Sequence, residues 1–338
     1  MKTIYTIILL TTFSALSFTQ VKAQEIHWTQ FEMMPLLLNP AKTGDFSGTF
    51  RVSGIFRNQF SSITPDAFST PGLSVDAPVT KGFWDNDWVG AGGVLFVDRA
   101  GALGLQTGGF LLSGSYHKAI GSEANTYLVL GLQTGAFAKR IKDIDAYRSE
   151  AVILGQDDPI QGMLTDQAQN AQEYAGGIIV KSKISESTFM ELGFSIKHLN
   201  RPRLNILGTG GGRLPMRFTG HGYVDFKLNE FLTITPGFLY ESYEPATLAV
   251  AQLRGSLLVN SEKDIYLNAG FGYRVNDSGH LMFGMQFGDL TVGMAYDVTV
   301  SDLAGAANYF GGFEIAASYI VKIFKQPETD PVIFCPRF

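Results

Sequence analysis

Few stretches of this chain carry residue types that could do chemistry. "GTGGGR" at 208–213 has the glycine density of a phosphate cradle, yet no Lys-Ser/Thr follows and no helix opens after it. A flexible loop accounts for it. Asp143/Asp145 and Asp157/Asp158 pair carboxylates as calcium ligands do, without the Gly-centred twelve-residue pattern of a calcium loop, so solvated loop carboxylates are expected. The five histidines, His27, His117, His198, His221 and His280, show no close metal-ligand spacing. His198 near Asn200 suggests the base of a hydrolase, but no Ser in a Gly-x-Ser-x-Gly turn accompanies it. These patterns point to no enzyme, no metal and no cofactor.

More informative are the charges embedded in apolar, alternating segments: Arg51, Arg57, Lys139, Lys197, Arg217, Asp225, Lys227, Arg254, Glu314 and Lys322. "TFRVSGIFRNQF" at 49–60 is the clearest case. Phe50, Val52, Gly54 and Phe56 point one way, Arg51, Ser53 and Arg57 the other, with Ile55 between them. Alternation of this kind needs one wet and one apolar face on a strand.

Read at period two, the chain resolves into about 14 such strands. They are Thr49–Phe60, Gly72–Val79, Trp88–Asp98, Leu103–His117, Thr126–Lys139, Tyr174–Lys183 and Thr188–Asn200, followed by Arg213–Lys227, Phe231–Glu241, Thr247–Val259, Asp264–Arg274, His280–Phe287, Leu290–Thr299 and Asn308–Phe324. Connections such as "VNDSG", "KLNE" and "NSEKD" carry hairpin punctuation. Only 143–172 breaks the rhythm, as an extended polar loop after the fifth strand.

Strand length separates two all-β architectures. Sandwich strands run near 5–6 residues, whereas a tilted strand crossing a bilayer needs about 9–11. The lengths, the even count and the alternating loop sizes predict a transmembrane antiparallel β-barrel. Facing lipid, one Arg or Lys near the midplane costs roughly 2–4 kcal/mol, so Arg51, Arg57, Arg217 and Glu314 are expected to face the lumen. Aromatics near strand ends (Phe60, Trp88, Tyr116, Tyr127, Tyr240, Tyr243, Tyr309, Tyr319) are expected in interface girdles.

Composition agrees with an exported barrel. The chain has 38 Gly, 26 Phe and 13 Tyr and only 17% charged residues, against about 25% in a typical soluble domain. A net charge of −5 offers no basic surface for nucleic acid, and a single cysteine, Cys335, excludes an internal disulfide framework. Residues 1–23, with Lys2, an apolar run from Ile7 and Val21-Lys22-Ala23 before Gln24, read as a cleaved secretory signal.

"FEMMPLLLNPAKTG" at 31–44 is apolar but broken by Pro35 and Pro40, and suits neither a helix interior nor a central strand. Irregular backbone is tolerated at membrane depth where protein or lumen water surrounds it. The expectation is an N-terminal plug, with Phe31, Met34, Pro35, Leu38, Asn39 and Pro40 folded into the lumen. The expected organisation is signal 1–23, plug segment 24–47, barrel 48–324 and tail 325–338.

Both ends of the mature chain resemble one family. "QFEMMPLLLNPAKTG" at 30–44, "RVSGIFRNQF" at 51–60, "YDV" at 296–298, "GGFEIAASY" at 311–319 and terminal "CPRF" at 335–338 resemble the PorP/SprF family of type IX secretion system membrane proteins; "HLNRP" and "LPMRF" fall where that family has similar runs. One departure is Phe313, where a polar residue before the glutamate is expected. The resemblance implies an outer-membrane barrel of Bacteroidetes-type bacteria that helps export or retain surface proteins, including gliding adhesins, with a C-terminal sorting domain. It also implies contact with outer-membrane lipid and with periplasmic components linked to peptidoglycan. In the tail, Phe338 suits recognition by barrel-insertion machinery, while Cys335, Pro336 and Arg337 with their apolar neighbours equally suit a docking strand or inner plug. The competing function is a passive channel or hydrophobic-solute transporter of the long-chain fatty-acid type.

Overall fold

A computed structural model describes residues 26–323 except 62–67, 82, 85, 102, 122–124, 143–149, 159–167, 205–211 and 245. The expected signal and tail lie outside the described residues.

Fourteen strands close into one antiparallel barrel. The first seven are β1 (Phe50–Gln59), β2 (Phe68–Lys81), β3 (Trp88–Ala100), β4 (Leu105–Ile120), β5 (Thr126–Ile141), β6 (Gln169–Ser185) and β7 (Thr188–Lys197). A two-stranded ribbon outside the wall, β8 (Arg203–Leu204) and β9 (Gly212–Arg213), interrupts the series. The wall resumes with β10 (Arg217–Lys227), β11 (Leu232–Tyr243), β12 (Ala246–Asn260), β13 (Ile265–Arg274), β14 (Ser278–Phe287), β15 (Leu290–Thr299) and β16 (Phe310–Val321). Each strand pairs with its neighbour in sequence, and β1 pairs with β16 to leave no free edge. Closure matters because an unpaired backbone donor or acceptor in lipid costs several kcal/mol.

Side-chain parity separates two surfaces. On β1, Phe56 is 41% exposed on the outer face while its neighbour Arg57 is 1% exposed inside. Leu73, Leu95, Phe110, Leu130, Phe238 and Phe283 continue the outer apolar belt on other strands. Phe313 belongs to it, and Glu314 beside it turns inward, so the apolar residue at 313 is the lipid-facing half of the alternation. Ile55 joins the arginines on the inner face rather than standing between the two sides.

The strands run longer than the periodicity indicated at several ends. β6 starts at Gln169, because Ala171 and Glu173 already face inward in pairing with β5. β2 runs through Pro71 and Pro78: its ladder with β3 skips positions 70–71 and shifts register between Pro78 and Thr80. A residue without an N–H is accommodated at such irregularities.

Connections differ between the two ends. Two residues each join β6 to β7 and β14 to β15 at the end where β1 begins and β16 finishes. The other end carries the connections 60–67, 142–168, 198–216 and 300–309. In outer-membrane barrels short turns are periplasmic and long loops extracellular, which orients the molecule. Within 142–168 the described residues form a four-residue helical turn, Glu150–Ile153.

Candidate functional site

The proline-broken stretch folds because each proline stands where a helix wants it. Pro35 opens the helical turn Pro35–Leu38 and Pro40 opens the 3-10 turn Pro40–Lys42. The first helical position needs no N–H, and proline's fixed φ suits it. Asn39, extended between them, caps the second turn by accepting from Ala41 N at 2.9 Å.

This segment contacts the inner faces of strands all round the barrel, from β1, β3 and β4 through β6, β7 and β10 to β15 and β16. A single short segment reaches all of them only from within the lumen. It descends the lumen, starting among residues at the long-loop ends of β1, β13 and β15. It finishes beside Asp76, Trp88, His117 and Lys181 near the short-turn end.

The upper attachment is ionic. Thr29 N and Gln30 N donate to the Glu314 carboxylate at 2.6 and 2.9 Å. Thr29 Oγ1 donates to Asp297 at 2.7 Å and accepts from Arg57 and Arg274, both at 2.9 Å. Arg57 pairs with Glu314, its cross-strand partner, and with Asp297 at 2.7 Å; Arg274 reaches Asp297 at 3.2 Å. Nearby, Arg217 pairs with Glu241 and donates to Ile26 O, and Arg254 pairs with Glu32.

The middle of the segment is apolar and fits three wall patches. Trp28, Met34, Leu36 and Leu37 pack on Ile55, Val94, Leu111 and Ala316. Phe31 and Leu38 pack on Leu239 and Val250, and Ala41 on Val129 and Ile179. Met34 and Leu36 are fully buried. Exposed main-chain carbonyls are met by wall side chains: Gln133 donates to Leu36 O, Ser195 to Leu38 O and Lys197 to Leu37 O.

The lower attachment uses mainly neutral groups and close approach. Asn39 Nδ2 contacts Ile178 O, Phe194 O and His221 Nε2 at 3.1–3.3 Å. Thr43 O accepts from Ser115 and His117, Gly44 N donates to Asp76, and Trp88 Nε1 donates to Gly44 O. A Cβ on Gly131 would stand 2.2 Å from Ala41 N, and one on Gly177 would stand 1.9 Å from the Asn39 side chain. Both wall positions therefore require glycine. Two ion pairs, Lys42–Glu191 and Lys181–Asp45, finish this end. Burial opposes ionisation of Asp45, but Lys181 and Lys42 outweigh it and hold the carboxyl below its ordinary value. Burial likewise opposes the Lys42 ammonium, and Glu191 and Asp45 raise it.

Cavities remain above and below. The upper one, about 160 Å³, is walled by Trp28, Leu37, Phe96, Leu111 and Phe137. Towards the short-turn end two cavities of about 330 and 550 Å³ are lined in part by Thr235, Asn268, Thr291, Lys183, Lys227 and Thr233.

The expected site residues divide by place. Phe31, Met34, Pro35, Leu38, Asn39 and Pro40 lie buried in the lumen segment, and Arg57, Arg217 and Glu314 lie buried on the inner wall. Arg51 stands lower, bound to Asp76 and to Lys42 O. Of the other strand charges, Asp225 accepts from Thr235 and Lys322 pairs with Asp289. Cys335, Pro336, Arg337 and Phe338 lie outside the described residues, as does most of "GTGGGR".

Four of the expected girdle aromatics do not face lipid. Trp88 stacks on His117 inside the barrel, with ring centroids 4.2 Å apart; Tyr127 meets Trp88 edge-on, and Tyr243 is buried under Arg217. Phe60 is buried against Phe68. Their parity puts Trp88, Tyr127 and Tyr243 on the inner side, which proximity to a strand end alone does not reveal. Tyr240, Tyr309 and Tyr319 remain exposed.

The sequence reading missed Thr29, Arg274 and Asp297 of the upper cluster. Asp297 carried a usable signal, since "YDV" places a carboxylate in step with Ala295 and Thr299 on the inward face. Thr29 carried none, because its role depends on a chain path no local pattern encodes.

The family model described as type IX secretion system membrane protein PorP/SprF matches residues 20–319. The chain belongs to this family. No curated protein matches it. Among solved structures it is similar to the P. putida toluene transporter TodX (10% identity, 85% of this chain and 93% of that one, TM-score 0.52). It is also similar to the CymD monoaromatic hydrocarbon channel (9% identity, 86% and 93%, TM-score 0.51). At such identities the likeness is one of fold. Family and fold together make this PorP/SprF protein an outer-membrane barrel.

Proposed function

We propose that this PorP/SprF barrel is a plugged anchor of the type IX secretion system, holding or helping to export surface proteins, such as gliding adhesins, that carry a C-terminal sorting domain. Residues 24–47 act as the plug. The observation that carries this reading is the filled mid-lumen: the apolar layer of Met34, Leu36 and Leu37 is bonded into the wall from both sides. A lumen that conducts while open throughout would lack such a layer. With the lumen closed, the surfaces left for partners are the two ends. The extracellular loops 143–172 and 201–213 grip the exported client. The periplasmic turns and the tail 325–338, with Cys335–Phe338 at its end, meet peptidoglycan-linked components, and residues 1–23 direct export.

Planar-bilayer recording tests the plug. The intact mature barrel is expected to stay closed, and a form lacking residues 24–44 is expected to conduct steadily. Large steady conductance from the intact form would overturn the anchor. Affinity capture from solubilised outer membranes tests the client, with recovery of a large surface protein bearing a sorting domain as the expected result.

A second reading, a hydrophobic-solute channel, draws support from the apolar upper cavity and from a fold shared with proteins described as hydrocarbon channels. It requires the segment to move aside, and the same recording with an apolar solute present distinguishes it.

A further inference from the structure

We propose that the outer face of β3, β4 and β5, at the long-loop end, binds the phosphate of an outer-leaflet glycolipid through Arg99 and Arg140. Asp98, Ala100, Leu105, Thr107 and Lys139 line the upper cavity inside the barrel. Strand alternation therefore turns Arg99, Gln106 and Arg140 outward, and both arginines are exposed. The three form one row across neighbouring strands, Arg99 opposite Gln106 and Gln106 opposite Arg140. Two strand spacings, about 10 Å, separate the arginine backbones. Arg140 donates to Gln106 Oε1 from Nε at 3.3 Å and from Nη2 at 3.0 Å, which fixes its guanidinium plane beside Arg99.

Height on the wall says what these cations meet. Gln106 stands ten residues along β4 from Tyr116, and the outward residues between them, Gly108, Phe110, Leu112 and Gly114, are all apolar. A strand rising about 3.3 Å per residue at a tilt of about 40° climbs about 25 Å over that distance, the height of the lipid-facing band. The row of Arg99, Gln106 and Arg140 thus sits at the band's upper edge, where head groups begin, and with the long loops outside that edge belongs to the outer leaflet. The lower edge makes the contrast. There the outward Lys118 pairs with Asp87 at 3.1 Å and lies over the Trp84 ring, so its charge is already answered. Arg99 and Arg140 meet no carboxylate among the described residues. Guanidinium groups favour phosphate through paired, charge-assisted hydrogen bonds, and basic side chains at head-group height recruit anionic lipid. Beside them Asn170 and Gln172, outward on β6, offer amides to sugar hydroxyls. The site lies on the outside of the wall and does not depend on the anchor reading.

Native mass spectrometry of the detergent-solubilised mature barrel, titrated with diphosphorylated lipid A, its phosphate-free form and phosphatidylglycerol, tests this. Diphosphorylated lipid A is expected to bind at one per barrel, at least tenfold more tightly than the phosphate-free form. Phosphatidylglycerol is expected to bind at least fivefold more weakly than lipid A, and inorganic phosphate should not displace the lipid. Arg99→Gln combined with Arg140→Gln is expected to bring the two forms of lipid A within twofold of each other, while Lys118→Gln leaves their ratio unchanged. Gel migration reports an intact barrel in each case, and Arg99→Gln alone, expected to weaken lipid A about threefold, decides if the double variant fails to fold. Equal retention of the phosphate-free form, or a preference indifferent to the arginine substitutions, would overturn the site. A loss of equal size in Lys118→Gln would also overturn it, as attraction to charge in general. Equal affinity for phosphatidylglycerol would overturn the outer-leaflet assignment, and displacement by inorganic phosphate would overturn the lipid. None of these results bears on closure of the barrel, which conductance reads separately.

Discussion

At its upper end the interior segment is held by two carboxylates and two guanidinium groups around Thr29, and at its lower end mostly by neutral donors and by wall glycines. The two solutions fail differently. Charges out of water are costly unless every partner is present, so the upper cluster is stable only as a set. The lower end rests on shape: Ala41 and Asn39 sit where Gly131 and Gly177 leave room, and the wall positions tolerate no side chain. One attachment breaks by losing an atom, the other by gaining one.

Arg57→Met should give the largest effect. It leaves Glu314 and Asp297 short of their main counter-charge in a buried site, where removing one partner of a pair costs about 3–5 kcal/mol. The measurement is the urea midpoint of the barrel refolded in vesicles. Adding Glu314→Gln should recover more than half of the loss, because the penalty comes from the orphaned charge rather than from the missing contact. Failure to recover would mean that the upper cluster acts through packing, and the contrast between the ends would collapse.

Gly131→Val tests the lower end by insertion. The new Cβ would meet main-chain Ala41 N at 2.2 Å, contact that a flexible side chain cannot relieve. Overpacking of this kind costs about 1–3 kcal/mol. The segment should give way before the barrel does, because the wall is secured by its ladders. The expected readout is faster modification of a cysteine placed at Thr43, in a Cys335→Ser background, with gel migration of the barrel unchanged. Asn39→Ala removes three wall contacts and one cap without adding bulk, and should raise the same labelling rate less, at about 1–3 kcal/mol in segment stability.

The wall was legible in the sequence to a degree that the segment was not. Alternation along β1 separated Phe56 from Arg57 because in lipid the two faces must differ in kind at every second residue. The same rule explains Phe313 beside Glu314. Inside the lumen no such binary choice operates. Ile55 faces inward with the arginines because Met34 happens to cover it, and Trp88 turns inward because His117 and Gly44 receive it. The two prolines announced irregularity at 31–44 but not direction: that Thr29 stands high and Asp45 low follows from contacts more than 200 residues away at one end. Asn39 caps its own turn, yet most of its hydrogen bonds leave the segment altogether.

The smallest expected effect concerns pH, and it applies to the lower end. Asp45 is buried, which opposes its charge, but Lys181 and Lys42 hold its carboxyl below the ordinary carboxylate value. A group whose folded value is depressed contributes stability that is complete above its unfolded value, near 3.9, and is lost as pH falls through the folded value. Lys42 is the mirror case: its value is raised above 10.5 by Glu191 and Asp45, so its contribution is complete below that and fades as pH rises past it. Only the thiolate reacts, so the rate at position 43 must be divided at each pH by that of the same cysteine in the urea-unfolded chain. Between about pH 5 and 9 that ratio should stay flat, and it should climb on acidification below about pH 4. Asp45→Asn removes the titrating carboxyl, so its labelling rate should be modestly higher at neutral pH and its acid step much reduced. An acid step of full size in Asp45→Asn would move the sensitivity to the wall carboxylates, and the lower end would then be no more neutral in character than the upper.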